Sequence, residues 1–263
     1  MKLLAIETAT EACSVALWID GEVRERFGVA PRQHAELALP WAGQLLADAG
    51  VARSQLDAIA VGRGPGAFTG VRLAVALAQG IALALDRPVV PVSTLAALAM
   101  QLPPLRQQGR VGVGLEGRGD PLTNIAQPPP DLPLPRKGEE KIVAAIDARM
   151  GEIYVAAFRR DGDSLVATSD EVVIAPASYE LPQGEDWVGI GTGFAAADGE
   201  LQARFADRFV RIDATALPHA GDVARLGAIA FVRGEALAPE RVEPAYLRNN
   251  VALTLAEQRA RKG

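Results

Sequence analysis

The sequence predicts an α/β protein of two lobes, each a mixed β-sheet flanked by helices, because one pattern of strands and turns occurs twice. The pattern is an apolar segment that ends in a carboxylate, then a second apolar segment and an Asp-Gly turn. It occupies residues 2–21 and again residues 142–162, and it separates the carboxylate from the turn glycine by 14 and then 15 residues. Two unrelated hairpins would give the same local pattern and remain the alternative to a duplicated unit.

The individual elements follow from short apolar runs, which predict strands, and from turn and cap residues that bound them. In Asp20-Gly21, glycine favours a tight hairpin turn because it reaches positive φ without strain. Gly50 is a plausible helix stop, and Ser93 or Thr94 can cap the helix that follows. The predicted strands are residues 2–7, 13–19, 22–29, 56–61, 88–92, 142–147 and 151–160, and the predicted helices include residues 69–85, 93–106 and 219–233.

Composition divides the chain into lobes, an insertion and a tail. Residues 1–106 form the first lobe, with a helix at 219–235 packing back on it, and residues 141–218 form the second. Between them, residues 107–140 contain 6 Pro and 6 Gly in 34 residues, which predicts a disordered insertion. A docking segment for a proline-binding module is the alternative reading of this insertion. Residues 236–263 form a C-terminal segment with a polar tail.

Charge and cysteine content narrow the class of protein. The formal net charge is −5, so the overall field does not attract a nucleic acid, and any RNA should be held mainly by partners. A single cysteine, Cys13, cannot form an internal disulfide, which is typical of a reducing cytoplasm. No apolar stretch approaches the roughly 20 residues that span a bilayer, and the N-terminal apolar run is too short for a signal peptide. We therefore expect a cytoplasmic protein with no membrane partner.

The strongest local signal for chemistry is the glycine-rich segment 62–72, between a predicted strand and a predicted helix. Its glycines permit a tight backbone, Thr69 is placed to cap the helix, and the amides of a helix start can hold an anion. No Lys-Ser/Thr pair follows the glycines, so the segment is not a P-loop. A strand-to-helix turn without a ligand is the alternative.

A second signal is the turn after the first strand, where a carboxylate and small hydroxyls can face a metal and phosphate. The same threonines can equally satisfy the backbone of the hairpin. The matching place in the second copy holds an aspartate. Together the two signals give the candidate nucleotide contacts Glu7, Thr8, Thr10, Gly62, Gly64, Gly66, Thr69 and Asp147.

Residues that several enzyme classes need are missing from the sequence. The two histidines, His34 and His219, belong to no HxxxH or HExxH pair, so no helix-borne metal site is expected. No GxSxG nucleophile motif is present, and Cys13 lies in an apolar strand where a thiol is usually inert.

The predicted helix 69–85 is apolar on opposite faces, and a sheet covers only one face of a helix. One stripe contains Val71, Val75 and Ala82, and the other contains Leu73 and Leu77. The preceding helix also has excess apolar surface, so we expect both helices to bind a partner subunit. Full burial by the helices at 93–106 and 219–233 is the alternative. The residues predicted to form the interface are Leu37, Ala38, Trp41, Leu45, Val71, Ala74, Val75, Ala78, Gly80 and Ala82.

Several motifs together resemble the TsaB (YeaZ) family, over residues 1–106 and 141–250. They are Ile6-Glu7-Thr8-Ala9-Thr10, Arg32-x-His34, the segment 62–72, Pro91-Val92-Ser93-Thr94-Leu95, Asp147-Ala148-Arg149-Met150 and Pro244-x-Tyr246-Leu247-Arg248. This resemblance implies the duplicated actin-like (ASKHA, ribonuclease H-like) fold. It also implies a part in forming N6-threonylcarbamoyladenosine at position 37 of tRNAs that read codons starting with A.

The resemblance further implies a non-catalytic subunit that pairs through its first two helices with the catalytic subunit TsaD, joined by the small ATPase TsaE. A homodimer is expected when TsaD is absent, tRNA is expected to bind mainly through the complex, and ATP or ADP only at complex interfaces. No metal or cofactor is expected in the isolated chain. The family more often has Asp where this chain has Glu7 and Ser or Thr where it has Ala9. The alternatives are an actin-like ATPase or kinase-like enzyme and, less favoured by the histidine count, a metallopeptidase.

Overall fold

The structure is a computed structural model that describes residues 1–101, 140–162 and 164–248. The predicted insertion at 107–140 lies outside the described residues except for Glu140, which is buried and begins a strand. The insertion boundary was therefore wrong by one residue, since Glu140 pairs with Arg160 in the sheet of the second lobe. Residues 102–106 of the predicted helix and the polar tail from residue 249 also lie outside the described residues.

The first sheet has five strands, with an antiparallel half and a parallel half that meet at the central strand. Its strands are β1 (Lys2–Glu7), β2 (Ala12–Ile19), β3 (Glu22–Val29), β4 (Ala58–Gly62) and β5 (Val89–Val92). Their order is β3-β2-β1-β4-β5, where β1, β2 and β3 pair antiparallel and β1, β4 and β5 pair parallel.

The second sheet repeats this arrangement. Its strands are β6 (Glu140–Arg149), β7 (Glu152–Asp161), β8 (Ser164–Ala167), β9 (Val172–Ile174), β10 (Trp187–Ile190) and β11 (Phe209–Asp213). Their order is β11-β10-β6-β7-β8, and β9 also pairs with β7. Because β6 pairs antiparallel with β7 and parallel with β10, it corresponds to β1 of the first sheet. The predicted duplication is therefore present in the strand order.

Five helices cover the two sheets within the described residues. They are α1 (His34–Asp48), α2 (Phe68–Leu85), α3 (Thr94–Met100), α4 (Glu200–Arg204) and α5 (Ala220–Val232). On one face of the first sheet, α1 and α2 pack over apolar side chains that include Ile6, Val15 and Ile59. On its other face, α5 packs over the small side chains that alternate with them, including Ala5 and Ala60.

The second lobe places α3 and α4 on opposite faces of its sheet. Leu95 and Leu98 of α3 pack with Ile142 and Ile190, and Leu201 of α4 packs with Ile153 in the opposite layer. In both lobes, successive side chains of a strand point to opposite faces of the sheet, so each sheet has a core layer on both sides.

The predicted caps had different outcomes. Ser93 caps α3, because its side chain accepts a hydrogen bond from the amide of Ala96 at 3.1 Å. The prediction for Thr69 was wrong: Ala67 is the N-cap of α2, no side chain caps it, and Thr69 lies exposed inside the first turn. The helix begins at Phe68, one residue earlier than predicted, which moves Thr69 past the capping position.

The helix α2 has the length and apolar composition of a membrane span. The expectation that no segment meets this test was therefore wrong for α2. The core helices of soluble proteins pass the same test, and α2 packs Ala74, Ala78 and Ala82 against the first sheet.

Candidate partner surface and inter-lobe cleft

The glycine-rich loop between β4 and α2 packs directly on the turn after β1. A Cβ atom added to Gly66 would lie 2.4 Å from the carbonyl oxygen of Ala9, and one added to Gly70 would lie 2.0 Å from that of Thr8. The Ala67 amide also donates to the carbonyl of Ala9 at 2.7 Å. These glycines are therefore required for contact between two backbone segments of the same lobe.

The carboxylate of Glu7 is enclosed by this packing. Its Oε1 accepts from the Ala9 amide at 2.6 Å, and its Oε2 accepts from the hydroxyl of Thr94 at 2.9 Å. A Cβ on Gly62 would lie only 1.9 Å from Oε2, so only glycine fits beside the carboxylate. Burial raises the pKa of Glu7 from 4.5 to about 7, against the smaller effect of the hydrogen bonds to Ala9 and Thr94.

Three more candidate nucleotide contacts of the first lobe make hydrogen bonds within that lobe. The hydroxyl of Thr8 donates to the carbonyl of Gly70 at 2.7 Å, and that of Thr10 accepts from the Ala12 amide at 3.4 Å. The Gly64 amide donates to the Thr94 hydroxyl at 3.2 Å. The structure thus packs Glu7, Thr8, Gly62 and Gly64 into a closed network. Thr10 and Gly66 instead line the cavity between the lobes, and Thr69 is exposed on α2.

In the second lobe, Asp147 occupies the position that corresponds to Glu7, at the end of the central strand. Its side chain is 26% exposed and accepts two hydrogen bonds from Arg149, from the amide at 2.7 Å and from Nη1 at 2.8 Å. The Asp147 amide donates a hydrogen bond to the hydroxyl of Thr192 at 3.2 Å. Asp147 therefore faces the cleft, whereas Glu7 does not.

A cavity of about 910 Å³ lies between the two lobes. Residues of the β1–β2 turn, the loop before α1 and the start of α2 line one side, and the ends of β6 and nearby loops line the other. Its charged lining consists of Glu11, Arg32, Arg72, Asp147, Arg149 and Arg248. His34 also lines it and holds its ring Nε2 3.0 Å from the carbonyl oxygen of Thr10.

The segment after α5 crosses from the first lobe to the second beside this cavity. Gln79 of α2 donates to the carbonyl of Val242 at 3.1 Å, and the hydroxyl of Tyr246 accepts from Nε of Arg72 at 2.6 Å. Farther along, Arg248 pairs with the carboxylate of Glu152 on β7. The segment 242–248 therefore ties α2 to the hairpin of the second lobe.

The outward surface of α2 differs from the one predicted. Seven of the ten predicted interface residues are buried within the first lobe and are not available to a partner helix: Ala38, Leu45, Val71, Ala74, Val75, Ala78 and Ala82. Leu37 and Trp41 are half-buried, and Trp41 packs over Gly28 of β3. Gly80 is exposed. The stripes were assigned to the wrong sides, because the smaller side chains allow α2 to approach the sheet.

The other apolar stripe of α2 faces outward. Leu73, Leu77 and Ile81 are half-buried at its margins, and the exposed positions of the helix are Phe68, Thr69, Arg72, Ala76, Gly80, Leu83 and Ala84. We call the part of this stripe from Leu73 to Ala84 the outer face of α2; Phe68 and Arg72 precede it and line the cleft between the lobes. Leu83 is 63% exposed and Phe68 is 56% exposed. On α1, Leu39 is 49% exposed and extends the apolar surface.

The two histidines and the cysteine lie apart. Cys13 is buried in β2, where desolvation raises its pKa to about 11. His219 stacks on Phe27 and pairs with Glu25 at 3.1 Å, which raises the pKa of His219 despite its burial. Within the described ranges, no group of three or more His, Cys, Asp or Glu residues is placed to hold a metal ion.

The two sheets of equal strand order, joined across a cleft, define the class of protein: an actin-like ASKHA fold, as the sequence predicted. A family model of the TsaD-type tRNA N6-adenosine threonylcarbamoyltransferases matches residues 21–118. The TsaB protein of Escherichia coli, a tRNA threonylcarbamoyladenosine biosynthesis protein, is 37% identical over 96% of each chain. The TsaB protein of Haemophilus influenzae is 32% identical over 95% of each chain.

A solved structure gives the same family. A crystal structure from Pseudomonas aeruginosa, described as similar to peptidase YeaZ, has a TM-score of 0.76 and 40% identity to this chain. The match covers 94% of this chain and 99% of that one. The chain belongs to the TsaB (YeaZ) family of tRNA threonylcarbamoyladenosine biosynthesis proteins. The family predicted from the sequence motifs is confirmed.

Some residues of the site were not predicted from the sequence. Thr94 was considered only as a helix cap, although its hydroxyl bonds to Glu7. Arg32, Arg149 and Tyr246 were noted within motifs but given no role, and they meet at the cleft. Their occurrence in family motifs indicated that they matter, but their separation in the sequence did not show that they line the same cleft.

Proposed function

We propose that this chain is a non-catalytic subunit that binds and stabilises a TsaD-type catalytic subunit for threonylcarbamoyl modification of adenosine 37 in tRNAs that read ANN codons. The subunits meet through the outer face of α2 and the adjacent surface of α1. A second copy of the chain occupies this surface when TsaD is absent, and a TsaE-type ATPase joins the complex. The protein works in the cytoplasm, with tRNA held mainly by the complex and ATP or ADP bound only at complex interfaces.

The observation that carries the proposal is the outer face of α2. It presents Leu83 as a large exposed apolar side chain, with Ala76, Gly80 and Ala84 as exposed small residues on the same side of the helix. Small residues let a second helix approach closely, and large apolar residues at the margins fill the space between two helices. Exposed apolar surface of this kind on a soluble protein marks an interaction site.

A catalytic role has little support at the predicted nucleotide turn. Glu7 has no open side toward the cleft, because Gly62, Ala9 and Thr94 enclose it. Its raised pKa means that near neutral pH the carboxyl is partly protonated, which makes it a poor ligand for a metal-bound phosphate. These features support a partner role over an ATPase or kinase.

The test uses two charge insertions on the outer face and a matched control elsewhere. Ala76→Arg and Leu83→Glu place a charge where the partner helix should pack, and burying an unpaired charge costs several kcal/mol, roughly 3–5. Val232→Glu makes the same kind of change at the end of α5, where Val232 is 78% exposed. The three variants and the parent are mixed with the purified TsaD-type subunit and examined by size-exclusion chromatography with light scattering.

The parent and Val232→Glu should form a heterodimer, whereas Ala76→Arg and Leu83→Glu should elute as folded monomers. Circular dichroism checks that the variants keep the parent's secondary structure. If both outer-face variants still pair with the TsaD-type subunit, the interface lies elsewhere. ATP turnover by the isolated parent that is lost in Asp147→Asn would favour the enzyme alternative instead.

A further inference from the structure

Three arginines from three separate elements line the inter-lobe cleft. Arg32 lies in the loop before α1, Arg72 lies in the first turns of α2, and Arg149 ends β6. All three line the cavity of about 910 Å³, together with the rings of Phe68 and Tyr246. We call these five residues the cleft mouth. The chain carries a net charge of −5, whereas the cavity lining holds four arginines against the two carboxylates of Glu11 and Asp147.

Two of these arginines have a backbone conformation that favours other residue types. Arg32 has a φ of 70° and Arg149 a φ of 64°, in the left-handed region that favours Gly, Asn or Asp. Of the non-glycine residues with positive φ in the described ranges, Asp occupies half; the others are Arg32, Arg149, Met150 and Ala197. An arginine here raises the free energy of the fold relative to glycine or asparagine, and such strain concentrates at functional sites.

The guanidinium groups retain capacity to bind a ligand. Arg32 is exposed and has no hydrogen-bond or ion-pair partner among the described residues. Arg72, which lines the cavity, donates from Nε to Tyr246, and its two terminal amino groups have no hydrogen-bond partner among the described residues. Arg149 pairs with Asp147 through one amino group, yet its side chain is 78% exposed.

Two aromatic rings flank the central arginine. The guanidinium carbon of Arg72 lies 3.8 Å from the centre of the Phe68 ring and 5.4 Å from that of Tyr246. Phe68 is 56% exposed and Tyr246 is 47% exposed, so both rings offer faces to solvent. Arginine beside exposed aromatic rings is the combination that holds unpaired RNA, in which the arginine binds phosphate and the rings stack on bases.

We propose that the cleft mouth is a direct contact for the tRNA that the complex modifies. This inference rests on the proposed function, since tRNA reaches the chain within the complex. A free nucleotide fits less well, because the glycine-rich loop that would surround its phosphates is packed on the turn after β1. An acidic protein segment would use the arginines but would not require exposed rings for base stacking. The acidic chain thus contributes a local basic contact, while its partners supply the rest of the binding.

The test measures tRNA affinity of the assembled complex with a triple variant. Arg32→Asn and Arg149→Asn remove two charges while keeping a residue that accepts positive φ, and Arg72→Gln removes the third within α2. The matched control is Arg24→Gln, Arg53→Gln and Arg233→Gln, three exposed arginines outside the cavity lining. Affinity for an unmodified tRNA that reads an ANN codon is measured by filter binding over a series of salt concentrations, and heterodimer formation is measured separately by light scattering.

The cleft-mouth variant should bind tRNA at least about tenfold more weakly than the parent complex, and its salt dependence should be shallower by about two to three in log-log slope. The control should match the parent in both. Equal tRNA affinity and slope in all three complexes would overturn the contact. Loss of heterodimer formation by the cleft-mouth variant alone would also overturn it, because the mouth would then bind protein.

The outcomes separate this inference from the proposed function. If the parent fails to bind the TsaD-type subunit, the proposed function is refuted by that measurement alone. In that case, tRNA binding by the isolated parent, lost in the cleft-mouth variant and kept in the control, would still support the contact. An isolated parent with no measurable tRNA affinity and no heterodimer would refute both.

Discussion

Glu7→Gln is expected to remove a pH dependence from the stability of the protein. In the folded state, burial raises the pKa of Glu7 from 4.5 to about 7, and in the unfolded state the carboxyl returns to its ordinary value. Between these two values the folded protein holds a proton that the unfolded chain has lost. The contribution of Glu7 is therefore fully present below about pH 4.5 and is lost as the pH rises toward 7.

The size of the effect follows from the same pKa. A change from 4.5 to about 7 corresponds to about 3 kcal/mol, because each pKa unit equals about 1.4 kcal/mol. Glutamine keeps the acceptor for the Ala9 amide but loses the acceptor for the Thr94 hydroxyl, which costs about 1–2 kcal/mol at any pH. The variant should thus be less stable than the parent near pH 5 and more stable, by about 1–2 kcal/mol, at pH 8.

Urea unfolding of the parent and Glu7→Gln at several pH values from 5 to 8 measures this difference. Other titrating groups, such as His219 and Asp222, occur in both proteins and cancel in the comparison. Glu22→Gln, at an exposed position on β3, is the control and should keep the parent's pH dependence. Parallel stability curves for the parent and Glu7→Gln over this range would refute the reasoning, since Glu7 would then be ionised in the fold.

Two further predictions concern the helix α2. Ala78→Arg should unfold the protein, because Ala78 is fully buried against the sheet, whereas Ala76→Arg should leave a folded monomer, as thermal unfolding will show. Gly70→Ala should destabilise the protein by more than about 2 kcal/mol, since a Cβ there would lie 2.0 Å from the carbonyl of Thr8. Gly80→Ala meets no atom within 4 Å and should raise the stability by up to about 1 kcal/mol through helix propensity; equal urea midpoints for the two alanine variants would contradict both expectations.

The strands could be predicted from the sequence because their signals are local. The run before Glu7 and the Asp20-Gly21 turn lie within a few residues of the structure they specify, and β1 and β3 begin and end as predicted. The second copy gave the same signals for β6 and β7, but β8 to β11 and the strand order of both sheets were not predicted. Long apolar runs and tight turns leave little choice of secondary structure.

The faces of α2 could not be predicted in this way. Because the helix is apolar on both sides, periodicity identifies two stripes but not which one meets the sheet. The stripe of Ala74, Ala78 and Ala82 packs on the sheet, because its small side chains permit a close approach, and Leu83 remains exposed. The choice depends on the space between α2 and β4, which is a property of the tertiary fold.

The surroundings of Glu7, in the turn after β1, also could not be predicted from the sequence. The contacts of Glu7 with Gly62 and Thr94 join residues 55 and 87 positions apart, and the hydrogen bond between Arg72 and Tyr246 spans 174 positions. Residue type suggested a ligand site at the carboxylate and the glycines. Only the packing shows that the glycines instead admit the backbone of the turn and enclose the carboxylate.

The central claim is that the chain acts through the outer face of α2 and not through a catalytic cleft. It is tested most directly by threonylcarbamoyl modification of tRNA in a complex reconstituted with the TsaD-type and TsaE-type subunits from the same genome. Modified adenosine is measured by mass spectrometry with the parent, Leu83→Glu, Glu7→Gln and Asp147→Asn. We predict that Leu83→Glu abolishes modification while Glu7→Gln and Asp147→Asn retain it. Full modification with Leu83→Glu, together with its loss in Glu7→Gln or Asp147→Asn, would contradict the account.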